Sequence, residues 1–325
     1  MLKIRFIDLF CGLGGFRIGM ESNLAKCVFS SDNDEYVSKV YEQNFGENPF
    51  SDITEIDIKK IPDHEILCAG FPCQPFSIGG YRKGFDDTRG TLFFDILRIL
   101  KEKKPKVIFL ENVKGITNHD GGNTIKVIRK KLKLAGYDIY ENVLNAYDYG
   151  LPQNRDRWYC VGFKSEIDVK KFNFPEKIKL DFYLEDIIDK NVKDHRISDI
   201  ALKHVKKNVN IFKDKKKSQL SLIKSRQKNF TVVTEARKTR ASIRQNGISP
   251  CLTAKMGTGG NNVPILYELE RKLTVKECLK LMGFPNDYIL KENYSRSYKQ
   301  IGNSICVNIV KKIGKEIINN LIKYN

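Results

Sequence analysis

Phe6-Ile7-Asp8-Leu9-Phe10-Cys11-Gly12-Leu13-Gly14-Gly15 decides the fold. Residues 3–10 are apolar and β-prone, a glycine turn follows, and a helical pattern then runs to Met20. The same strand–turn–helix unit recurs downstream. Strands are predicted over 27–30, 67–70, 107–110, 140–145 and 158–163, with helices over 34–44, 91–101 and 123–134. Alternation of this kind predicts an α/β fold, a doubly wound, mostly parallel sheet with helices on both faces.

Gly70-Phe71-Pro72-Cys73-Gln74-Pro75-Phe76-Ser77 follows the third strand. Proline fixes φ and removes a donor, so Cys73 is expected on a stiff, non-helical turn. Ligands and chemistry collect outside the carboxyl ends of strands in open parallel sheets. A thiolate at such a place is a candidate nucleophile. Cys11 and Cys68 are the rival cysteines; both lie in apolar sequence, as does Cys160, and all three read as packing.

The chain has 325 residues, enough for one large domain and a smaller one. Its hydrophobic content of 41% and charged content of 30% are those of a soluble globular protein. No apolar run approaches the ~18 residues of a membrane span. The first strand follows Met1 almost at once, so no signal peptide is expected. Eight scattered cysteines without a CxxC pair argue against zinc and against a disulfide scaffold. The net charge is +18, and residues 191–245 hold 16 Lys/Arg against 4 Asp/Glu. A polyanion is the economical partner for such a stretch, because neutralising phosphates releases counterions.

Three further motifs complete the set: Leu110-Glu111-Asn112-Val113, Gln153-Asn154-Arg155-Asp156-Arg157 and Gly302-Asn303-Ser304. Together and in this order, the five motifs resemble those of the C5-cytosine DNA methyltransferases of bacterial restriction–modification type. The resemblance runs from about residue 4 to the last helix; 164–270 lacks a clear family signature. It implies methyl transfer from S-adenosylmethionine to C5 of a cytosine in a specific duplex sequence, leaving S-adenosylhomocysteine and needing no metal.

Roles follow residue by residue from the resemblance. Cys73 would add to C6 of the base, Glu111 would meet N3 and the exocyclic amine, and Arg155 would hold the O2 side, with Gln153 and Arg157 in support. Ion pairing of the two arginines with Asp156 or Asp148 is the plainer alternative. Phe10 would face the adenine, with Asp8 and Gly14 near the methionine moiety. Gly12 and Gly14 fit the first two positions of G-x-G-x-x-G, but Arg17 takes the third. That disfavours NAD and suits a nucleoside without a diphosphate. Asp32 can accept from both ribose hydroxyls, with Asp34 competing for that role. Asp52 matches the acid that accepts from the adenine amine, and Ile53, Pro72 and Asn303 join the cofactor set.

The target carbon is unreachable inside a duplex, so the base must flip out. The basic, glycine-rich stretch 77–89 then reads as a closing lid, placing Ser77, Arg82 and Arg89 on DNA. Arg237, Arg240 and Arg244 are candidates for phosphate or guanine contacts. The family often carries a Thr-Leu pair near the flipped nucleotide. Here the match is Cys251-Leu252-Thr253, so the threonine is displaced and Thr253 is the DNA candidate.

The expected organisation is a catalytic and cofactor domain over 1–176 and 300–325, a target-recognition domain over 177–272, and a hinge over 273–299. The charge run 213–217 reads as a loop, and Thr274 and Glu277 have capping-box spacing. The expected partner is double-stranded DNA, with a companion endonuclease acting separately. The expected state is a monomer, bacterial, cytoplasmic and nucleoid-associated, with no membrane contact. The alternatives are an RNA cytosine-5 methyltransferase and a catalytically silent sequence-specific DNA-binding protein.

Overall fold

The computed structural model describes residues 3–72, 92–167, 169, 172–216, 230–237, 241–258, 262–290 and 293–323; for 213–216 it describes the backbone alone. The chain divides into two compact units. Unit 1 holds Met1–Leu144, Asp156–Glu176 and Ile305–Asn325; unit 2 holds Asn145–Arg155 and Lys177–Ser304.

Unit 1 is built on six strands: β1 (Ile4–Leu9), β2 (Ala25–Ser31), β3 (Ile66–Gly70), β4 (Val107–Val113), β5 (Tyr137–Asn145) and β6 (Asp156–Lys164). Their order across the sheet is β2-β1-β3-β4-β6-β5. The first four run parallel, and β6 lies antiparallel to β4. The central strands are buried on both faces, which is why they read as nearly unbroken apolar runs. Alternate residues face opposite sides. Ile7, Leu9, Leu67, Ala69, Ile108 and Leu110 pack on α3 (Leu92–Lys103) and α4 (Asn123–Leu134), through Phe93, Ile96, Ile99, Ile125 and Ile128. On the other face, Phe109 of β4 meets Phe16 of α1 (Gly15–Met20), ring centroids 5.0 Å apart. Helix α2 (Glu35–Phe45) begins at Asp34, whose carboxylate accepts from the Tyr36 and Val37 amides.

The last helix, α8 (Val307–Lys323), packs on α1. Small residues allow the approach: a Cβ at Gly19 would lie 2.5 Å from Val310, and one at Gly314 would lie 2.4 Å from the Met20 sulfur.

Unit 2 carries an antiparallel sheet of order β10-β9-β7-β8, from β7 (Val232–Thr234), β8 (Ser242–Arg244), β9 (Ile265–Leu266) and β10 (Arg271–Lys272). Val205 and Val209 of α5 (Asp199–Lys216) pack against Val233, Ala236 and Ile265. The charge run 213–217, read from sequence as a loop, is helical through Lys216 and forms the end of α5. Val205 and Val209 carry that helix, because their spacing keeps one apolar face on the sheet. Helix α6 (Val275–Leu281) starts at a capping box made by Thr274 and Glu277, and α7 (Tyr294–Asn303) follows. Helix α6 and the first part of α7 lie in the stretch expected as a hinge, and both helices belong to unit 2. Glu277 also takes a two-pronged bond from the buried Arg271 guanidinium at 2.7 and 2.9 Å.

Candidate active site

Strand order reverses direction at β1: β2 lies on one side of it and β3 on the other. The carboxyl ends of β1, β3 and β4 therefore border the switch point where such sheets bind ligands. Each end carries one of the motifs.

At the end of β1 the chain turns sharply. Phe10, Gly12 and Gly14 all have left-handed φ, at 56°, 52° and 74°. Phe10 is half-buried there. Asp32, just beyond β2, holds the turn: its carboxylate accepts from the Gly12 amide at 2.9 Å and the Asp34 amide at 2.9 Å. Burial pushes its pKa above the usual carboxylate value. Of the two acids considered for the ribose, Asp34 is engaged in capping α2. Asp8 is fully buried on the α1 face; one carboxylate oxygen accepts from the Arg17 amide at 3.3 Å, and Oδ1 has no partner. Its pKa is driven well above the ordinary value, by desolvation first.

Backbone bonds tie the 49–51 segment to Asp32, Ser51 donating to its carbonyl at 3.0 Å, and so bring Asp52 beside this turn. The Asp52 carboxylate accepts from the Thr54 amide and hydroxyl, which hold its pKa below the usual value. Ile53 is buried and Pro72 is exposed. Asn303 is exposed at the end of α7, in unit 2.

At the end of β4, Asn112 donates to the Phe71 carbonyl at 2.8 Å and so anchors the chain just before Pro72. Glu111 and Arg157 sit on the facing strands β4 and β6, where Val113 registers with Arg157 and Glu111 with Tyr159. Their side chains form an ion pair at 3.3 Å, each about 11% exposed. Cys73, Ser77, Arg82, Arg89 and Arg240 lie outside the described residues. Burial pushes the thiols of Cys11, Cys68 and Cys160 upward, so none of the three is a ready thiolate.

Gln153 and Arg155 belong to unit 2. The Arg155 guanidinium is 1% exposed and donates to the carbonyls of Leu252, Gly302 and Ser304. Gln153 donates to the Leu281 carbonyl at 2.9 Å and accepts from the Leu252 amide at 3.0 Å. Asp156 and Asp148, the alternative partners considered for the arginines, pair with Lys114 and Lys177. Arg237 and Thr253 are exposed, and Arg244 on β8 is half-exposed.

The sequence profile of the C-5 cytosine-specific DNA methylases matches residues 4–319. The chain belongs to this family. Two type II methyltransferases are similar to this methylase over almost its whole length. M.HhaI of Haemophilus parahaemolyticus is 41% identical over 97% of the chain and 94% of the relative. M.HaeII of Haemophilus aegyptius is 42% identical over 99% and 95%. Among solved structures, a mutant of Spodoptera frugiperda DNMT2 has a TM-score of 0.72 at 20% identity, covering 97% of the methylase and 99% of that chain, a likeness of fold.

The family is one of DNA methylases, which leaves the RNA alternative without support. Among the described residues no helix of the methylase is long and apolar enough to cross a membrane, and no group of three His, Cys, Asp or Glu could hold a metal ion. Sequence reasoning missed the Glu111–Arg157 pairing. The signal was the register of two neighbouring strands, and β6 antiparallel to β4 was not foreseen.

Proposed function

We propose that this DNA cytosine-5 methyltransferase works through Cys73 as nucleophile, with Glu111 and Arg157 holding the flipped base. The Glu111–Arg157 pair carries this reading. It sets a carboxyl group and a five-donor guanidinium side by side at a strand-end edge. Cytosine C5 is a poor nucleophile until a thiolate adds at C6. The S–C6 bond then forms as the C5–C6 double bond opens, leaving C5 electron-rich. Glu111 shares a proton at N3 and so neutralises the charge that develops on the ring. Arg157 takes the O2 side, the role that the family resemblance implied for Arg155. After methylation, loss of the C5 proton to a base re-forms the double bond and expels the Cys73 sulfur.

S-adenosylmethionine, when bound, supplies an electrophilic methyl sulfonium. The chain's residues suit it: the turn after β1 takes left-handed φ at Phe10, Gly12 and Gly14, Asp8 keeps a free carboxyl oxygen, and Asp32 and Asp52 offer carboxylates for ribose and adenine. Its relatives are type II methyltransferases, so we read the chain as the methylating member of such a system. It acts as a monomer on duplex DNA, apart from any endonuclease.

Cys73→Ser tests the reading. Tritiated methyl incorporation into duplex DNA should vanish while DNA binding persists. Wild-type protein should form a covalent adduct with DNA carrying 5-fluorocytosine at the target, because fluorine blocks the final elimination. Peptide mapping that places the adduct on Cys11 or Cys68 would overturn the assignment.

A further inference from the structure

The short loop that joins β5 to β6 is tied to the 249–254 segment by backbone and side chains alike. Asn154 donates to the Ser249 carbonyl at 2.8 Å, and the Ser249 amide donates to Pro152 at 2.7 Å. The Gln153 side chain then takes the Leu252 amide, and Arg155 takes the Leu252 carbonyl. Both polar groups of one buried peptide residue are thus held by two side chains from one loop. From the opposite direction α7 closes in. A Cβ at Gly302 would lie 2.1–2.3 Å from the Thr253 and Ala254 backbone, and one at Gly257 would lie 2.4 Å from the Ser295 carbonyl. Arg155 links the two sides through its bonds to the Gly302 and Ser304 carbonyls, at 3.0 and 2.6 Å.

The donor count decides what Arg155 can do. A guanidinium has five N–H donors in a fixed fork. Nη1 and Nη2 are aimed at three carbonyls, with the Cys251 sulfur 3.7 Å from Nη1. Nε is buried without a partner. To reach a nucleotide, Arg155 would have to abandon buried carbonyls, each costing about 1–3 kcal/mol when left unpaired. What the clamp leaves outside is equally specific: Thr253 and Lys255 are exposed on the held segment.

We infer that Gln153 and Arg155 are positioning residues, which fix the backbone of 252–254 so that Thr253 and Lys255 meet DNA in one preset conformation. This rests on the reading that Thr253 lies on DNA. A segment already ordered in the free protein loses less freedom on binding, so the clamp acts on DNA affinity rather than on the chemical step.

Arg155→Lys keeps the charge but cannot span three carbonyls. Gln153→Met keeps the volume and removes the side-chain bonds to Leu252, Leu281 and Met282. The target sequence comes first from bisulfite sequencing of DNA from a host expressing the wild type. Three quantities are then measured for each variant: S-adenosylmethionine affinity by calorimetry, kcat and KM for DNA, and affinity for two duplexes. One duplex carries cytosine at the target and the other an abasic site. The expected result is a rise of about tenfold in KM and in both duplex dissociation constants, which is about 1.4 kcal/mol. kcat should stay within about twofold and cofactor affinity should not change.

A fall in kcat at constant KM, with abasic affinity unchanged, would make Arg155 a base contact and overturn the inference. Parallel loss of cofactor affinity would show general destabilisation and overturn it too. Wild-type DNA affinity in both variants would also refute it. Should Arg155→Lys fail to fold, Gln153→Met carries the test. A wild-type protein that fails to transfer methyl to DNA would instead defeat the proposed function.

Discussion

The Arg157 guanidinium meets the Glu111 carboxylate at 3.3 Å across two antiparallel strands. Each partner supplies what the other's solvent no longer can, and a base placed between strand end and pair would find donor and acceptor together. Glu111→Gln keeps the shape and loses the shared proton. We expect kcat to fall about 10²–10⁴-fold, the range for positioned acid–base groups. Arg157→Lys should also lower kcat, since an ammonium lacks the fork. Single-turnover methylation checks both; a rate near wild type in Glu111→Gln would remove the carboxyl from the chemistry.

Asp8 makes stability depend on pH in a definite direction. Burial raises its folded pKa above the unfolded value, so the fold prefers the protonated form. The associated stability is present in full below the unfolded pKa and is lost as pH rises through the folded one. Asp8→Asn stays neutral throughout. The melting temperature of D8N minus that of wild type should therefore increase with pH across the range 4 to 8. A difference that is flat or falls with pH would mean that Asp8 is not disfavoured as an anion.

Asp52 exposes a carboxylate whose Oδ1 is already committed to Thr54. If its other oxygen accepts from the adenine amine, Asp52→Ala should weaken S-adenosylmethionine binding by roughly 1.5–3 kcal/mol, the range for hydrogen bonds to charged groups. DNA affinity should change far less. Calorimetry with unaltered cofactor affinity would move the adenine contact elsewhere.

Gly302 backs onto peptide groups rather than onto pliable side-chain ends. Gly302→Ala would set a methyl 2.1–2.3 Å from the Thr253 and Ala254 backbone, so something must shift. Overpacking of this kind costs about 1–3 kcal/mol or more. Urea unfolding followed by tryptic cleavage within 177–304 measures it; unchanged stability would mean that α7 slides aside freely.

Unit 1 was readable because its physics is local. The central strands β3 and β4 are nearly unbroken apolar runs, the turn after β1 has its glycines, and α4 begins and ends where the pattern places it, at Asn123 and Leu134. Unit 2 was less so. Its strands are two or three residues long, too short for alternation to register. Lysines masked α5, although Val205 and Val209 sit at helical spacing. At the site, residue types were legible and partners were not. Arg155 and Arg157 are two apart in one motif, yet one donates to carbonyls in unit 2 and the other meets Glu111 in unit 1. Only the point at which the chain enters β6 separates those fates.

The seat of α8 against α1 has a consequence for how the molecule is made. Gly19 and Val310 touch, so α1 is covered by a helix that leaves the ribosome long after it. Until then Met20 has no complete roof, and α1 must wait with apolar surface showing. A transcript cut short within α8 would yield a chain with every motif of the chemistry and an unfinished unit 1, material for proteases rather than for DNA.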